Sequence, residues 1–83
     1  MGTNMDYEKI KVEFYSGYKV IVRPMFFEHQ GQRLEVEEIV DRWYEGGIDP
    51  SRPVMTYFKV KTAGGQVFVL RYVSALDAWF IRV

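Results

Sequence analysis

The side chains that could support catalysis are few in this chain of 83 residues. A Ser-His-Asp arrangement would have to combine the only histidine, His29, with one of three serines and one of four aspartates. The serines are Ser16, Ser51 and Ser74, and the aspartates are Asp6, Asp41, Asp49 and Asp77. Their spacing does not suggest a nucleophile and its base. We therefore predict that the protein is not an enzyme, that it has no catalytic residue, and that His29 lies in a solvated polar turn.

Metal and cofactor sites are equally unsupported. The carboxylates nearest in sequence to His29 on its C-terminal side are Glu35, Glu37, Glu38 and Asp41. They offer oxygen ligands, but neither a His-x-x-x-His pair nor an Asp-rich loop organises them. The pairs Gly46-Gly47 and Gly64-Gly65 lack the frame of a phosphate-binding loop, so they indicate turns. We predict no metal site and no cofactor.

Charge is balanced in the whole chain, with eleven basic and eleven acidic residues, but it is unevenly distributed. Seven acids outnumber two bases over Glu28–Asp49, whereas five bases outnumber one acid over Pro50–Val83. Nucleic acid would therefore have to bind through a local patch. The chain lacks cysteine, a signal-peptide pattern and an apolar run of about 20 residues, and we expect a cytoplasmic protein without membrane association.

The elements that must position these residues are mostly strands. Apolar and polar residues alternate over Lys9–Tyr15, and β-branched residues continue the pattern after Ser16-Gly17 as far as Pro24, which must lie at an edge, a bulge or a strand boundary. The clearest element is a hairpin of 54–62 and 66–73, joined by a three-residue loop with a glycine in the left-handed conformation. Its register pairs Thr62 with Gln66, Val60 with Phe68, Phe58 with Leu70 and Thr56 with Tyr72.

A last strand follows at 78–83. Its alternation predicts that Trp79, Ile81 and Val83 join the core face of the hairpin. The segment 45–53, with two glycines and two prolines, is predicted to be the longest loop.

The segment 33–45 decides the fold class. As a helix it would align Val36, Ile39, Val40, Trp43 and Tyr44 on one stripe. As a strand it changes phase, which requires a bulge near Glu37-Glu38. The strand gives an all-β fold, a five- to six-stranded antiparallel small barrel or curled sheet of SH3-like or OB-like type. The alternative is an α+β fold with one helix at about 34–45. Either is a single domain of residues 1–83 with a disordered terminus at 1–6.

Several spaced residues give the chain a family resemblance. They are Arg23-Pro24-Met25-Phe26-Phe27, Gly31, Val36, Ile39, Trp43, Tyr57-Phe58-Lys59-Val60, Leu70-Arg71-Tyr72 and Trp79. This pattern resembles a small uncharacterised bacterial all-β domain family, whose members stand alone or lie near or fused to relatives of lesion-bypass DNA polymerases. The resemblance implies an all-β fold with a bulged strand at 33–45. The polymerase-associated members are Arg-rich around the glycine turn, where this chain has Glu28 and His29.

The outward positions of the hairpin carry two binding hypotheses. Tyr57, Val69, Arg71 and Phe80 form a partly apolar face typical of a protein or peptide contact, including a homodimer contact. Interleaved with them, Lys59, Lys61, Arg71 and Arg82 form a basic set suited to weak single-stranded nucleic-acid binding. Against that second use, strand 33–45 can pair with strand 54–62, so that Glu35, Glu37 or Asp41 neutralises the lysines. We predict a non-enzymatic interaction or accessory module that binds protein or peptide, with nucleic acid as the alternative.

Overall fold

The computed structural model describes residues 6–16, 22–46, 51 and 54–83. Within these residues the chain forms seven antiparallel strands and no helix, so the all-β prediction is confirmed. In chain order the strands are β1 (Tyr7–Ile10), β2 (Val12–Ser16), β3 (Val22–His29), β4 (Gln32–Glu45), β5 (Met55–Thr62), β6 (Val67–Val73) and β7 (Ala78–Arg82). The described part of the chain accordingly contains no helix with the length and apolarity to span a membrane.

The strands form one curled sheet in the order β1-β7-β6-β5-β4-β3-β2. Only Lys11 separates β1 from β2, yet β1 pairs with β7 and β2 pairs with β3, near opposite ends of that order. The N-terminal run is therefore one bent segment that brings the two ends of the sheet together. At the bend the Glu28 N–H donates to the Lys11 carbonyl over 3.0 Å. Because this bend divides the run into two strands, the prediction of five or six strands is wrong.

The β5–β6 hairpin has the predicted register. Thr56 pairs with Tyr72, Phe58 with Leu70 and Val60 with Phe68. The Thr62 N–H donates to the Gln66 carbonyl, and Gly65 has a φ of 87° in the turn. A three-residue loop that ends on a left-handed glycine preserves the alternation on both strands, so the apolar side chains share one face.

The segment 33–45 lies within β4, and the helix alternative at 34–45 is wrong. Its change of phase arises from two register shifts against β5, one between Val36 and Glu38 and one between Ile39 and Asp41. The first is the bulge predicted near Glu37-Glu38, and the second leaves Val40 unpaired. Each bulge adds one residue and so interrupts the alternation of inward and outward side chains. Val36 and Ile39 are therefore three residues apart, a spacing typical of a helix, although both are strand residues that pack against the core.

The core fills the inside of the curl. Its buried members are Phe27, Phe58, Val60, Leu70, Trp79 and Ile81, and partly buried residues of β1 to β4 and β6 pack against them. Trp79 and Ile81 lie on the predicted core face, but Val83 is 56% exposed because it follows the end of β7. The prediction for Val83 is therefore wrong.

Three predicted segments fall partly or largely outside the described residues. They are the first five residues of the terminus predicted to be disordered, positions 17–21 of the run between Ser16 and Pro24, and positions 47–50 and 52–53 of the long loop. At residue 6 the terminus prediction is wrong, because the Asp6 carbonyl accepts a hydrogen bond of 2.9 Å from the Val83 N–H.

Candidate functional site

One face of the sheet, opposite the core, carries the predicted binding residues. Residues directly across neighbouring strands share a face, and one such row runs over five strands. It consists of Trp43 on β4, Tyr57 on β5, Arg71 on β6, Phe80 on β7 and Lys9 on β1. We call this side of the sheet the outer face. All seven residues of the two hypotheses lie on it, so the alternation placed them correctly.

Aromatic rings and one guanidinium pack against each other along this row. The Trp43 and Tyr57 rings are stacked, with centroids 5.3 Å apart and planes 3° from parallel. The Tyr7 ring meets Tyr57 at 6.4 Å in an edge-on contact, and the Arg71 guanidinium carbon lies 3.9 Å above the Tyr7 centroid and 5.3 Å from that of Phe80. We call Tyr7, Trp43, Tyr57, Arg71 and Phe80 the aromatic row. Such stacked groups keep few free rotamers and are fixed before any partner arrives.

Tyr57 is the base of the aromatic row. It lies on the outer face as predicted, but only 7% of it is exposed because the neighbouring rings of Trp43 and Tyr7 pack against it. Its hydroxyl donates a hydrogen bond of 2.7 Å to Glu45 Oε1. Burial and this contact with a carboxylate raise the pKa of Tyr57, although nearby Arg71 opposes them.

The remaining predicted contact residues are partly accessible. Val69, Arg71 and Phe80 are half-buried, and Val67 beside them is 52% exposed. Arg71 Nε is buried without a hydrogen-bond partner, so the packing of the guanidinium on the Tyr7 ring holds this side chain. The accessible surface therefore combines aliphatic side chains with ring edges and one cation.

Acidic residues stand beside the two lysines of the outer face. Asp41 is the cross-strand neighbour of Lys59, and Glu38 is that of Lys61. On the other side the lysines adjoin Val69 and Val67. The register therefore places β4 carboxylates next to these lysines, Asp41 as predicted and Glu38 in place of Glu35 or Glu37, whereas neutralisation of the lysines stays a prediction. The local field around the lysines is therefore reduced.

Sequence reasoning missed two members of the aromatic row. Tyr7 precedes the alternating run at Lys9, and only the pairing of Tyr7 with Arg82 places it on the outer face. Trp43 lies beyond the second bulge, between Ile39 and Asp41, so counting in twos from Ile39 places it on the core face although it points outward. An aromatic just before an alternating run is the signal that could have identified Tyr7.

The candidate catalytic residues are not brought together. His29 is half-buried with its ring 5.3 Å from Phe68, so the expectation of a fully solvated turn residue is wrong. It does end the β3 strand at a two-residue turn, as its place beside Gln30-Gly31 predicted. Among the residues that the structure describes, no group of three His, Asp or Glu side chains could hold a metal ion.

One ion pair lies outside this face. Arg33 donates two hydrogen bonds to Glu13, of 2.9 and 2.8 Å, and its guanidinium lies 3.9 Å above the Phe26 centroid. These bonds lower the pKa of Glu13 and raise that of Arg33. Both side chains are exposed, and the pair joins β2 to β4 across β3.

Comparison with known proteins adds no assignment. No protein-family model, no curated protein and no solved structure matches the chain. The resemblance to the bacterial all-β family stays a prediction, and function is inferred from the residues described above.

Proposed function

We propose that this chain is a non-enzymatic module that binds a protein or peptide through the outer face. Val69, Arg71 and Phe80 supply the contact, and Tyr57 supports them from below. The observation that carries the proposal is the aromatic row, an ordered set of rings and a guanidinium that reaches the surface at Trp43, Arg71 and Phe80. Aromatic residues and arginine are enriched at the centres of protein interfaces, because they bury large areas with few rotamers to immobilise.

The cations of the outer face support protein rather than nucleic acid as the partner. Lys59 and Lys61 each have a carboxylate beside them, and the Arg71 guanidinium is packed on a ring. Arg82 is exposed opposite Tyr7. Affinity for a nucleic-acid strand grows with the number of phosphates neutralised, and this face offers few unopposed charges. Weak single-stranded nucleic-acid binding through Lys59, Lys61, Arg71 and Arg82 is therefore the second candidate.

The finer architecture and setting belong to the same proposal. The curled sheet fits a small barrel of SH3-like or OB-like type, folds that carry many unrelated binding activities. Membership of the bacterial family, a cytoplasmic location and a homodimer contact through this face also stay predictions.

The test is selection of peptides from a random displayed library against the purified chain. We expect selected peptides to bind about ten-fold more weakly to Phe80→Ala and to Arg71→Ala, because each variant removes one exposed part of the aromatic row. The control is Tyr15→Ala, which removes an exposed aromatic from β2 and should leave affinity unchanged. Circular dichroism establishes that each variant is folded. Peptides that bind all four proteins equally would contradict the proposal.

A labelled thymidine oligonucleotide tests the second candidate. Salt-sensitive binding that Lys59→Glu plus Lys61→Glu abolishes, together with selected peptides that ignore Phe80→Ala, would replace protein by nucleic acid as the partner.

A further inference from the structure

The second half of β4 has a neighbour on one side only. β4 pairs with β3 from Gln32 to Glu35, and with β5 from Val36 to Glu45. Beyond Glu35 no described strand pairs with the other edge of β4, because β3 leaves it and continues against β2. An antiparallel strand directs alternate N–H and C=O groups to each side, so this edge presents backbone groups to whatever lies next to it.

A cleft opens where the two strands separate. Its volume is about 350 Å³, and Arg23 on β3 and Ile39, Asp41 and Arg42 on β4 line it. The Arg42 N–H donates to Asp41 Oδ1 over 2.8 Å, so a carboxylate occupies this backbone donor in the free protein. By the alternation of the ladder, the Tyr44 N–H points to the same side as that of Arg42.

The part of this edge suited to pairing is Asp41–Glu45. It follows the second bulge, pairs regularly with β5, and is exposed at every residue. Trp43 and Tyr44 are 39% and 65% exposed, which places two large aromatic side chains beside unpaired backbone. Long open edges attract another strand unless bulges or charges prevent it. Both bulges lie before this segment, and its three charges restrict pairing to a strand of complementary charge.

The charge pattern of the segment specifies its partner. Asp41 and Glu45 point to the outer face on either side of Trp43, whereas Arg42 points inward, toward the cleft that Arg23 also lines. An added strand would place its own side chains directly beside these. Lysine or arginine fits the outward positions, and an acidic residue fits the inward position next to the two arginines.

A second copy of this chain does not fit that pattern. Two antiparallel copies related by a two-fold axis normal to the sheet bring outward residues beside outward residues. In the register centred on Trp43, Asp41 of one copy would adjoin Glu45 of the other, and in the register centred on Arg42 the two Arg42 guanidiniums would adjoin each other. Like charges directly opposite are destabilising, so the edge favours a different molecule.

We propose that the Asp41–Glu45 edge binds an extended segment of a partner protein by strand addition, with basic residues at its outward positions and an acidic residue inward. Backbone hydrogen bonds supply the affinity in this mode, and alternate side chains supply the specificity. A basic side chain of the partner beside Asp41 also attracts the Asp41 carboxylate away from the Arg42 N–H. That N–H is then free to donate a hydrogen bond to the partner strand. This edge shares Trp43 with the aromatic row, but Val69, Arg71 and Phe80 lie on other strands, so its test does not depend on the proposed function.

The probe is a labelled seven-residue peptide, Lys-Val-Lys-Glu-Lys-Val-Lys, measured by fluorescence anisotropy against the full chain. We expect it to bind about ten-fold more tightly than its charge-reversed form, in which lysine and glutamate are exchanged. Two further peptides carry N-methyl groups on the odd or on the even residues. Since only alternate N–H groups face β4, one of the two should lose about ten-fold in affinity and the other should retain it.

Variants of the chain separate this edge from the rest of the surface. Asp41→Asn plus Glu45→Gln removes both outward charges with little change of shape, and should abolish the preference for the basic peptide. Glu8→Gln plus Glu28→Gln changes the net charge equally at exposed positions of β1 and β3, and should preserve it. Amide exchange at Arg42 and Tyr44 should slow when the peptide is bound, in Phe80→Ala as in the wild type.

Three results would overturn the proposal: no binding of the basic peptide at about 1 mM, equal binding of both N-methylated peptides, or unchanged exchange at Arg42 and Tyr44 in the complex. None of these outcomes bears on the contact at Val69, Arg71 and Phe80, whose own test depends on Phe80 and Arg71. Failure of either proposal is therefore recognised separately.

Discussion

β5 and β4 are neighbouring strands that use their residues in opposite ways. β5 pairs with β4 on one side and β6 on the other, and its inward residues Phe58 and Val60 are fully buried. β4 is longer, contains two bulges, and has no buried residue. Its second half pairs only with β5 in the described part of the chain.

The difference separates stability from recognition in one sheet. β5 supplies the core and the base of the aromatic row, so its side chains are committed within the molecule. β4 keeps the curl through its bulges and leaves backbone and aromatic side chains exposed. A small domain has little surface to spare, and the proposed recognition edge lies on a strand that contributes little to the core, which limits the cost in stability.

We expect single-residue deletions to give the largest difference in stability between changes in β5 and changes in β4. Deleting Lys59 from β5 makes Phe58 and Val60 adjacent, so one of them must turn outward, and we expect no cooperative unfolding transition. Deleting Glu37 from β4 removes an unpaired bulge residue and leaves Val36 and Ile39 on one face. That variant should fold, at a loss of about 1 to 2 kcal/mol in the free energy of unfolding. Urea denaturation followed by tryptophan fluorescence measures both.

A reversed result is informative. If the Lys59 deletion folds as well as the Glu37 deletion, the inward and outward assignment of β5 is incorrect.

Replacing one aromatic residue on each strand by alanine compares how much each strand contributes to the free energy of unfolding. Phe58→Ala empties a fully buried site, and we expect the free energy of unfolding to fall by about 3 to 5 kcal/mol. Trp43→Ala removes a partly exposed ring and its stack on Tyr57, and should cost about 1 kcal/mol. Equilibrium denaturation of both variants provides the values. Equal losses would mean that Trp43 belongs to the core.

The smallest effect concerns the contact between the two strands at Tyr57 and Glu45. Tyr57→Phe removes the hydroxyl that donates to Glu45, and should cost about 1 kcal/mol at neutral pH. The pKa of Tyr57 is raised in the folded state, so its contribution is complete below the unfolded pKa of about 10 and is lost as pH rises beyond it. Denaturation midpoints between about pH 8 and 12 should fall less steeply in Tyr57→Phe.

Tyr72 supplies the control for this titration. Burial and its hydrogen bond to Asp77 raise the pKa of Tyr72 as well, so Tyr57→Phe plus Tyr72→Phe should flatten the alkaline decline further than either single variant. An alkaline decline identical in all four proteins would show that neither phenol titrates with folding.

Sequence reasoning gave a single answer where strands are regular and left a helix alternative open where they are bulged. The register of β5 with β6 followed from glycines and alternating apolar residues within one hairpin. β4 was ambiguous because Glu37 and Val40 interrupt its period, and the same spacing suits a helix. The alternation over Lys9–Tyr15 predicts one strand, whereas a bend at Lys11 divides this run into β1 and β2. The bend joins the two ends of the curled sheet, and no local pattern indicates it.

The residues alone determined the alternating strands outside 33–45 and that Lys59, Arg71 and Phe80 point away from the core. Alternation is a local property, set by which neighbouring side chains are apolar, so it can be obtained from the chain itself. Only the tertiary structure decided that Tyr7 covers Arg71, that carboxylates face the lysines, and that no described strand pairs with the outer edge of β4 beyond Glu35. These features depend on which distant strands become neighbours, and that follows from closing the curl around the core rather than from any segment by itself.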